Sequence, residues 1–180
     1  DWSAIGGVAQ QTTNIFTNDG ANLAIPKPGT YLLWNSGGVW TDVDIALELR
    51  STDDDAIGVM FRVQDADNYY RFSMDMSRTY RRLIRKSNGV YTLLAEDLVP
   101  YVKGAWMGLR IVANDGRIMV FVDGSLVFDV ADAVVRRGSL ALYCWGNAVS
   151  YFDNVTVEDL TVPDTFAPAA IAGLGVDDPG

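Results

Sequence analysis

The feature that most constrains this sequence is a hydrophobic pattern with a period of two residues. Apolar and more polar side chains alternate through residues 43–50, 57–64 and 117–122. Successive side chains of an extended strand point to opposite faces, so the pattern predicts strands with one face buried between two sheets. The residues predicted to point inward are Val43, Ile45, Leu47, Leu49, Ile57, Val59, Phe61, Val63, Ile118, Val120 and Val122.

Turn sequences separate these strands at short intervals. The pairs Asn88-Gly89, Asp115-Gly116 and Asp123-Gly124 are typical of tight hairpins, in which both turn residues adopt positive φ. Only residues 132–136 would suit a helix, and that helix would have one turn at most. Many short strands separated in this way predict an all-β fold, an antiparallel two-sheet β-sandwich of the jelly-roll type.

The composition changes near Thr161, where the alternation stops and prolines appear at positions 163 and 168. We therefore predict one sandwich domain over residues 1–160 and, over residues 161–180, a linker or the start of a following module. No apolar run approaches the roughly 20 residues that a membrane-spanning helix needs, so membrane insertion is not expected.

The charge of the chain argues against polyanionic partners. Its net charge is −9, whereas nucleic acids and anionic membranes are bound by basic surfaces. One short stretch is nevertheless rich in cations, and it would form either a local basic patch or an ordinary solvated sheet face. Its members are Arg71, Arg78, Arg81, Arg82, Arg85 and Lys86.

The residues that are absent limit the possible chemistry. The chain has no histidine, which excludes histidine-dependent triads and histidine-ligated zinc. Its single cysteine, Cys144, alternates with Leu140 and Leu142, which predicts a buried and inert thiol. Asp44 and Glu48 share a strand face but lie about 13 Å apart along the strand. Glycosidase carboxylates lie about 5–9.5 Å apart, so we predict no catalytic residues here.

Three stretches in order resemble a known group of domains: residues 58–72, residues 103–112 with 118–124, and residues 138–143 with 152–157. Together they resemble the concanavalin A-like, laminin G-like jelly rolls of bacterial carbohydrate-active proteins. Within this group, the sequence resembles the fructan-binding modules of levanases and the lectin-like domain of 3-keto-disaccharide hydrolases. The resemblance covers roughly residues 1–160. It implies two stacked sheets, often a calcium ion, and a glycan site on the concave sheet or at a loop end.

A candidate glycan site follows from the strand alternation together with this resemblance. Planar aromatic rings contact the CH faces of sugars, while arginine, glutamine and aspartate bind sugar hydroxyls. Trp106 is expected in the core, as in this group of domains, whereas Trp34, Trp40 and Trp145 suit either the core or a binding rim. The exposed sheet face and its loop end are predicted to present Arg62, Gln64, Tyr69, Arg71, Asp75, Tyr80, Arg82 and Trp145.

The resemblance also implies a structural calcium ion, Ca²⁺, in the last strand. Asp153 matches the position of a ligating aspartate in related jelly rolls, with Asp19 and Gly20 as partners from the N-terminal segment. Calcium takes carboxylate and backbone oxygens from loops and strand ends. The acidic loops at residues 53–55 and 65–67 are alternative positions for such an ion.

The sequence favours binding over catalysis. The leading interpretation is a non-catalytic carbohydrate-binding module of a multidomain bacterial protein, either secreted or at the cell surface. Its partner would be a polysaccharide or oligosaccharide, not nucleic acid, and the isolated domain would be monomeric. Two alternatives stay open at this point: a sugar-active hydrolase of the 3-keto-disaccharide type, and a structural or adhesion domain of the laminin G-like type.

Overall fold

The computed structural model describes residues 2–13, 25–35 and 38–161. These residues form strands, turns and loops and contain no helix. The helical turn suggested for residues 132–136 is therefore wrong, because this segment is an irregular connection between two strands, with a bend at residues 134–135. Within the described ranges the strands are β1 (Trp2–Ile5), β2 (Val8–Gln11), β3 (Thr30–Leu33), β4 (Val43–Ser51), β5 (Ala56–Asp65), β6 (Asn68–Asp75), β7 (Tyr80–Ser87), β8 (Val90–Asp97), β9 (Met107–Asn114), β10 (Arg117–Val122), β11 (Ser125–Ala131), β12 (Ser139–Trp145) and β13 (Ser150–Asp159).

The strands form two antiparallel sheets that pack face to face. The seven-stranded sheet has the order β1-β2-β13-β4-β9-β10-β11, and the six-stranded sheet has the order β3-β12-β5-β6-β7-β8. Strands that are neighbours in a sheet are often distant in sequence, as β13 is from β4 and β12 is from β5. This crossing between sheets is the jelly-roll arrangement expected from the sequence.

The core lies between the two sheets and follows the period-two pattern. The four residues predicted to point inward on β4 are all buried. They belong to one cluster with core residues of β5, β9 and β10. Two predictions need correction. Val63 follows an irregularity in β5 and is buried on the outer side of its sheet, and Val122 is only partly buried at the end of β10.

Three hairpins have the backbone geometry that the sequence predicted. Asp115 and Gly116 have φ of +43° and +77°, and the pairs at residues 88–89 and 123–124 are similar. Such positive values at both turn residues match the right-handed twist of the flanking strands. These turns connect β7 to β8, β9 to β10, and β10 to β11.

The outer face of the six-stranded sheet differs from the expected solvated surface. The central strands β5 and β6 are buried on both faces, and the outer face carries a second apolar cluster. Ile25 and Leu33 pack against it at its edge. The buried members of this cluster are Ala56, Met60, Val63, Tyr69, Ile84, Ala141, Tyr143 and Trp145.

The last strand, β13, ends at Asp159, close to the predicted domain boundary. The linker predicted for residues 161–180 lies almost entirely outside the described residues, so it stays a prediction. In the described part of the chain, no helix has the length and apolar character that crossing a membrane would require.

Phe72 provides a test of the inter-sheet core. Its ring is fully buried and meets Phe128 edge to face at a centroid distance of 6.1 Å. We expect Phe72→Ala to lower the free energy of unfolding by about 3–5 kcal/mol, because it leaves a cavity between the sheets. The same change at Phe121, a half-buried residue on an outer face, is expected to cost about 1 kcal/mol or less. Urea unfolding at 25 °C measures both, and equal losses would contradict this account of the core.

Candidate functional site

Cross-strand pairing gathers polar and aromatic side chains at one end of the outer face of the six-stranded sheet. Asp75 pairs with Tyr80, and Ser73 pairs with Arg82, across β6 and β7. Gly58 of β5 lies between Ser73 and Tyr143 of β12, so this row has small residues at its centre. We call the following residues the arginine–tyrosine cluster: Arg71, Asp75, Arg78, Tyr80, Arg82, Tyr143 and Trp145.

Each arginine of the cluster stacks against an aromatic ring. The guanidinium of Arg82 lies 4.1 Å from the ring centroid of Tyr80. That of Arg71 lies 4.6 Å from Tyr143, and that of Arg78 lies 4.6 Å from Trp145. A cation over a desolvated ring gains about 2 kcal/mol, so these contacts offset part of the cost of burial.

A chain segment at residues 25–29 crosses this face and is held by the cluster. Arg71 donates hydrogen bonds to the carbonyl oxygens of Lys27 and Ile25, at 2.6 and 2.8 Å. The Tyr143 hydroxyl donates a further bond of 2.6 Å to the Lys27 carbonyl. The Lys27 ammonium is 3.4 Å from the ring centroid of Trp145, and its side chain is fully buried. Lys27 therefore forms one wall of the cluster.

Ion pairs neutralise the cation-rich stretch, so it is not a free basic patch. Asp75 lies 3.1 Å from Arg78, which also pairs with Asp55, and Arg82 lies 2.5 Å from Glu96. Arg71, the exception, bonds to backbone carbonyls instead. The remaining pairs of the stretch are Arg81–Asp97, Arg85–Asp132 and Lys86–Asp67.

Several buried donors of the cluster have no hydrogen-bond partner among the described residues. They are the Tyr80 hydroxyl and the Nε atoms of Arg71 and Arg78. Buried polar groups in folded proteins are nearly always hydrogen-bonded, because an unpaired donor costs about 1–3 kcal/mol. A concentration of such donors on one sheet face indicates a place where a ligand or water completes the bonding.

Burial also changes the ionisation of the cluster. Desolvation raises the pKa of Asp75 above its usual range, although the backbone NH and guanidinium of Arg78 act in the opposite direction. Desolvation and the Asp75 carboxylate raise the pKa of Tyr80, which therefore stays protonated. Perturbed carboxyl groups of this kind concentrate at functional sites.

The structure brings together most of the residues predicted for the glycan site. It does not expose them to solvent as predicted. Arg71, Asp75, Tyr80, Arg82 and Trp145 share one face, as expected. The prediction that this face is open to solvent is wrong, since Arg71 is only 1% exposed. The reason is the second apolar cluster and the segment at residues 25–29, which cover the sheet.

Three predicted residues lie apart from the cluster. Arg62 is at a bulge in β5 with φ of +49°, which turns its side chain to the Thr41 carbonyl at 2.6 Å and to Asp42. The expected shared face with Arg71 is therefore wrong for Arg62. Gln64 is exposed beyond that bulge and donates to the carbonyl of Arg137. Tyr69 is on the same outer face, but at its far end, 3.3 Å from the Tyr91 hydroxyl.

Sequence reasoning missed Lys27, Tyr143 and Glu96. Tyr143 was recoverable, because Leu142 and Cys144 point inward and the residue between them must point outward. Glu96 and Lys27 carried no such signal, since their contacts depend on strand pairing and on the path of a loop. The prediction that Trp106 lies in the core is also wrong. Trp106 is 43% exposed, because its neighbour Met107 takes the inward position.

The single thiol is buried as the sequence predicted, and the two strand carboxylates have separate partners. Cys144 is fully buried, and burial raises its pKa to about 12, so it is inert. Asp44 forms an ion pair with Arg110, whereas Glu48 accepts a hydrogen bond from Asn154. Each carboxylate thus serves a different structural partner.

The described residues include only part of the predicted calcium site. Asp153 is paired across the sheet with Glu48, and its Oδ1 accepts the NH of Asn154 at 2.7 Å. Asp19 and Gly20 lie outside the described residues. The carboxylates at residues 53–55 come within 4.8 Å of one another, but Asp55 is paired with Arg78.

Solved structures with the same fold include one described as a carbohydrate binding module and one described as a galectin. The chain is similar to the carbohydrate binding module CBM66 of Bacillus subtilis, with a TM-score of 0.72 and 23% identity over 88% of this chain and 91% of that one. It is also similar to a galectin of Caenorhabditis elegans, with a TM-score of 0.54 and 20% identity over 73% and 92% of the two chains. These similarities confirm the jelly-roll fold.

Sequence comparison adds a relative and a family. The chain is 31% identical to the levanase of Bacillus subtilis (strain 168) over 101 residues, which is 56% of this chain and 15% of the levanase. A family model described as the 3-keto-alpha-glucoside-1,2-lyase-like domain matches residues 1–158. Both agree with the resemblance drawn from the sequence stretches above. The chain therefore belongs to the 3-keto-alpha-glucoside-1,2-lyase-like domain family.

Proposed function

We propose that this domain is a non-catalytic carbohydrate-binding module that holds a neutral sugar residue at the arginine–tyrosine cluster. The observation that carries the proposal is the set of unpaired buried donors, Tyr80 Oη, Arg71 Nε and Arg78 Nε, beside stacked aromatic rings. Sugar hydroxyls both accept and donate hydrogen bonds, while ring CH groups pack on aromatic faces. A sugar therefore matches both halves of the cluster.

The exposed rim indicates from which side a ligand approaches. Arg78 and Glu96 have side chains 15% and 29% exposed, whereas the Asp75 side chain between them is inaccessible. A sugar entering past this rim meets Tyr80 and Arg82 first. The segment at residues 25–29 forms the opposite wall, so deeper entry requires Lys27 to move.

The charges of the cluster favour a neutral glycan. Arg78 and Arg82 are already paired with carboxylates, and the chain as a whole carries a net charge of −9. A polyanionic chain would meet a repulsive field at a distance. The similarity to levanase makes levan, a neutral fructan, the first ligand to test.

Binding without bond cleavage is the function that these contacts support. A glycosidase needs one carboxyl group as acid and a second as base or nucleophile. The carboxylates that contact arginines of the cluster, Asp55, Asp75 and Glu96, are all held in ion pairs. Release of products from an oligosaccharide panel would instead support the sugar-active alternative.

The proposal includes the cellular location of the domain and the kind of protein that contains it. A module of this kind would act in a secreted or cell-surface bacterial protein with further domains, tethered through the segment after residue 160. Shallow sugar sites bind weakly by themselves, and tethering raises the effective concentration of the module at a polymer surface.

A panel of soluble neutral polysaccharides tests the function directly. We expect retention of the domain in affinity electrophoresis gels that contain one of levan, inulin, dextran, laminarin or xyloglucan, supported by a glycan array. Tyr80→Phe should weaken that binding about tenfold with unchanged stability, because the lost hydroxyl bonds only to the ligand.

The matched control for Tyr80 is Tyr70→Phe, on the neighbouring strand β6 but on the core side of the sheet. The Tyr70 hydroxyl donates to Asp132 at 2.5 Å and accepts the NH of Val135 at 3.2 Å. Its removal should lower the free energy of unfolding by about 1–3 kcal/mol and leave glycan affinity unchanged. Absence of binding to every glycan, or an unchanged affinity in Tyr80→Phe, would contradict the proposed site.

We expect the Asp75 carboxylate to lower the free energy of unfolding at neutral pH while it contributes to glycan binding. Since its pKa is higher in the folded state, the folded protein binds a proton more readily than the unfolded chain. Its contribution to stability therefore decreases as the pH rises from about 4 through the raised folded pKa. Asp75→Asn removes this effect, so the unfolding free energy of the variant minus that of wild type should increase with pH and then level off.

Paired urea titrations of wild type and Asp75→Asn between acidic and neutral pH provide the measurement. Glycan affinity of the variant should fall at neutral pH even though its stability rises, as expected for a functional residue. A difference in unfolding free energy that decreases with pH would show that Asp75 is stabilised as the carboxylate, contrary to this account.

A structural calcium ion at Asp153 is also proposed. Asp153 and its strand partner Glu48 supply carboxylate oxygens, and calcium needs about six to eight oxygen ligands. We expect a chelator to lower the melting temperature of the wild-type domain and to have no effect on Asp153→Ala. Differential scanning calorimetry with and without EDTA measures this, and a chelator-insensitive wild-type melt would remove the ion from the proposal.

A further inference from the structure

The outer face of the seven-stranded sheet carries an aromatic row that the proposed site does not use. Gln10 of β2 is paired with Tyr151 of β13, which is paired with Arg50 of β4. Trp106 immediately precedes β9, beside Arg50, and points to the same side. Four neighbouring chain segments thus place one side chain each in a single row, which we call the Trp106 platform.

Arg50 is held between two rings in this row. Its guanidinium carbon lies 4.7 Å from the ring centroid of Tyr151 and 5.3 Å from that of Trp106. The Arg50 Nε is buried, and no described residue accepts a hydrogen bond from it. Surface arginines usually find a carboxylate, as Arg110 does with Asp44 on the same sheet. The platform therefore orients a guanidinium whose Nε has no hydrogen-bond partner among the described residues.

The platform borders an open depression of suitable size. Its volume is about 310 Å³, and its lining combines apolar walls with the amide of Gln10. Ile5 at its edge is 69% exposed, so the depression opens directly to solvent. An exposed tryptophan, an oriented guanidinium and an amide are the groups that bind one face and the hydroxyl edge of a sugar ring.

We infer that the Trp106 platform is a second sugar-binding site, specific for a neutral sugar ring with adjacent hydroxyl groups. The ring would stack on Trp106, with two hydroxyls accepting bonds from Arg50 and one contacting Gln10. The ligand class rests on the proposed function, while the position of the site rests on the platform alone. An acidic sugar is repelled at a distance by the net charge of −9.

The two sites would face away from each other. The arginine–tyrosine cluster is on the outer face of the six-stranded sheet, and the Trp106 platform is on the outer face of the other sheet. One short glycan cannot reach both through the sandwich. The domain would therefore bridge two polymer strands, and its apparent affinity for a polysaccharide would exceed that for an oligosaccharide.

Fluorine NMR of the whole chain labelled with 5-fluorotryptophan separates the two sites. The five tryptophans give five resonances, which Trp→Phe variants assign. Titration with oligosaccharides of levan, inulin, dextran, laminarin and xyloglucan should shift the Trp145 and Trp106 resonances with separate midpoints. Trp34, which is exposed but remote from both rows, is the internal control and should not shift.

Variants then show whether the sites are independent. In Tyr80→Phe the Trp145 midpoint should rise about tenfold, and the Trp106 midpoint should not change. Arg50→Met should raise the Trp106 midpoint about tenfold. Trp106→Ala, a change at an exposed residue, should weaken retention by the matching polysaccharide about tenfold and leave the Trp145 midpoint unchanged.

The outcomes distinguish this inference from the proposed function. A Trp145 shift without a Trp106 shift would overturn the second site and leave the first intact. A Trp106 shift alone would support the platform and overturn the proposed cluster site. Shifts at neither residue with every glycan would overturn both. Equal shifts at Trp106 and Trp34 would mark nonspecific contact and would also overturn the platform.

Discussion

Burial of apolar side chains between the two sheets is the interaction on which the rest of this structure depends. In a strand the side-chain direction alternates, so a slip by one residue would turn the whole inward row of β4 to the solvent. The packed inter-sheet core therefore fixes the register of each strand, and the register fixes which residues share an outer face. Asp75 meets Tyr80, and Arg50 meets Tyr151, because residues next to them in sequence, such as Met74 and Leu49, are held in the core.

The six-stranded sheet differs from that of a simple sandwich, in which only the inner face is buried. Its central strands are buried on the outer face as well. Placing arginines and an aspartate there has a desolvation cost, and the raised pKa of Asp75 is one expression of it. Stacked rings, ion pairs and the carbonyls of residues 25–29 offset much of this cost. The donors that have no partner among the described residues are the part that folding alone does not explain, and the proposed ligand site rests on them.

The two outer faces hold a buried or half-buried arginine by different contacts. Arg71 is locked by two backbone carbonyls beneath a covering segment, whereas Arg50 is held at an open surface by rings alone. The first arrangement is suited to a selective, partly enclosed site and the second to a shallow one. Both use an aromatic ring on the same sheet face as the cation: Tyr151 is the cross-strand partner of Arg50, whereas Tyr143 reaches Arg71 from β12, two strands away.

The sequence by itself determined the β-sandwich, the inward rows, the hairpin turns and the inertness of Cys144, since all of these follow from side-chain alternation and local turn geometry. It also placed Arg71, Asp75, Tyr80 and Arg82 on one face, because each strand has a period of two. Only the tertiary structure decided that this face is covered, that Lys27 reaches Trp145, and that a bulge removes Arg62 from the row. The physical reason is that burial of an outer face, the path of a loop and the position of a bulge depend on contacts between residues far apart in the chain, which no local pattern records.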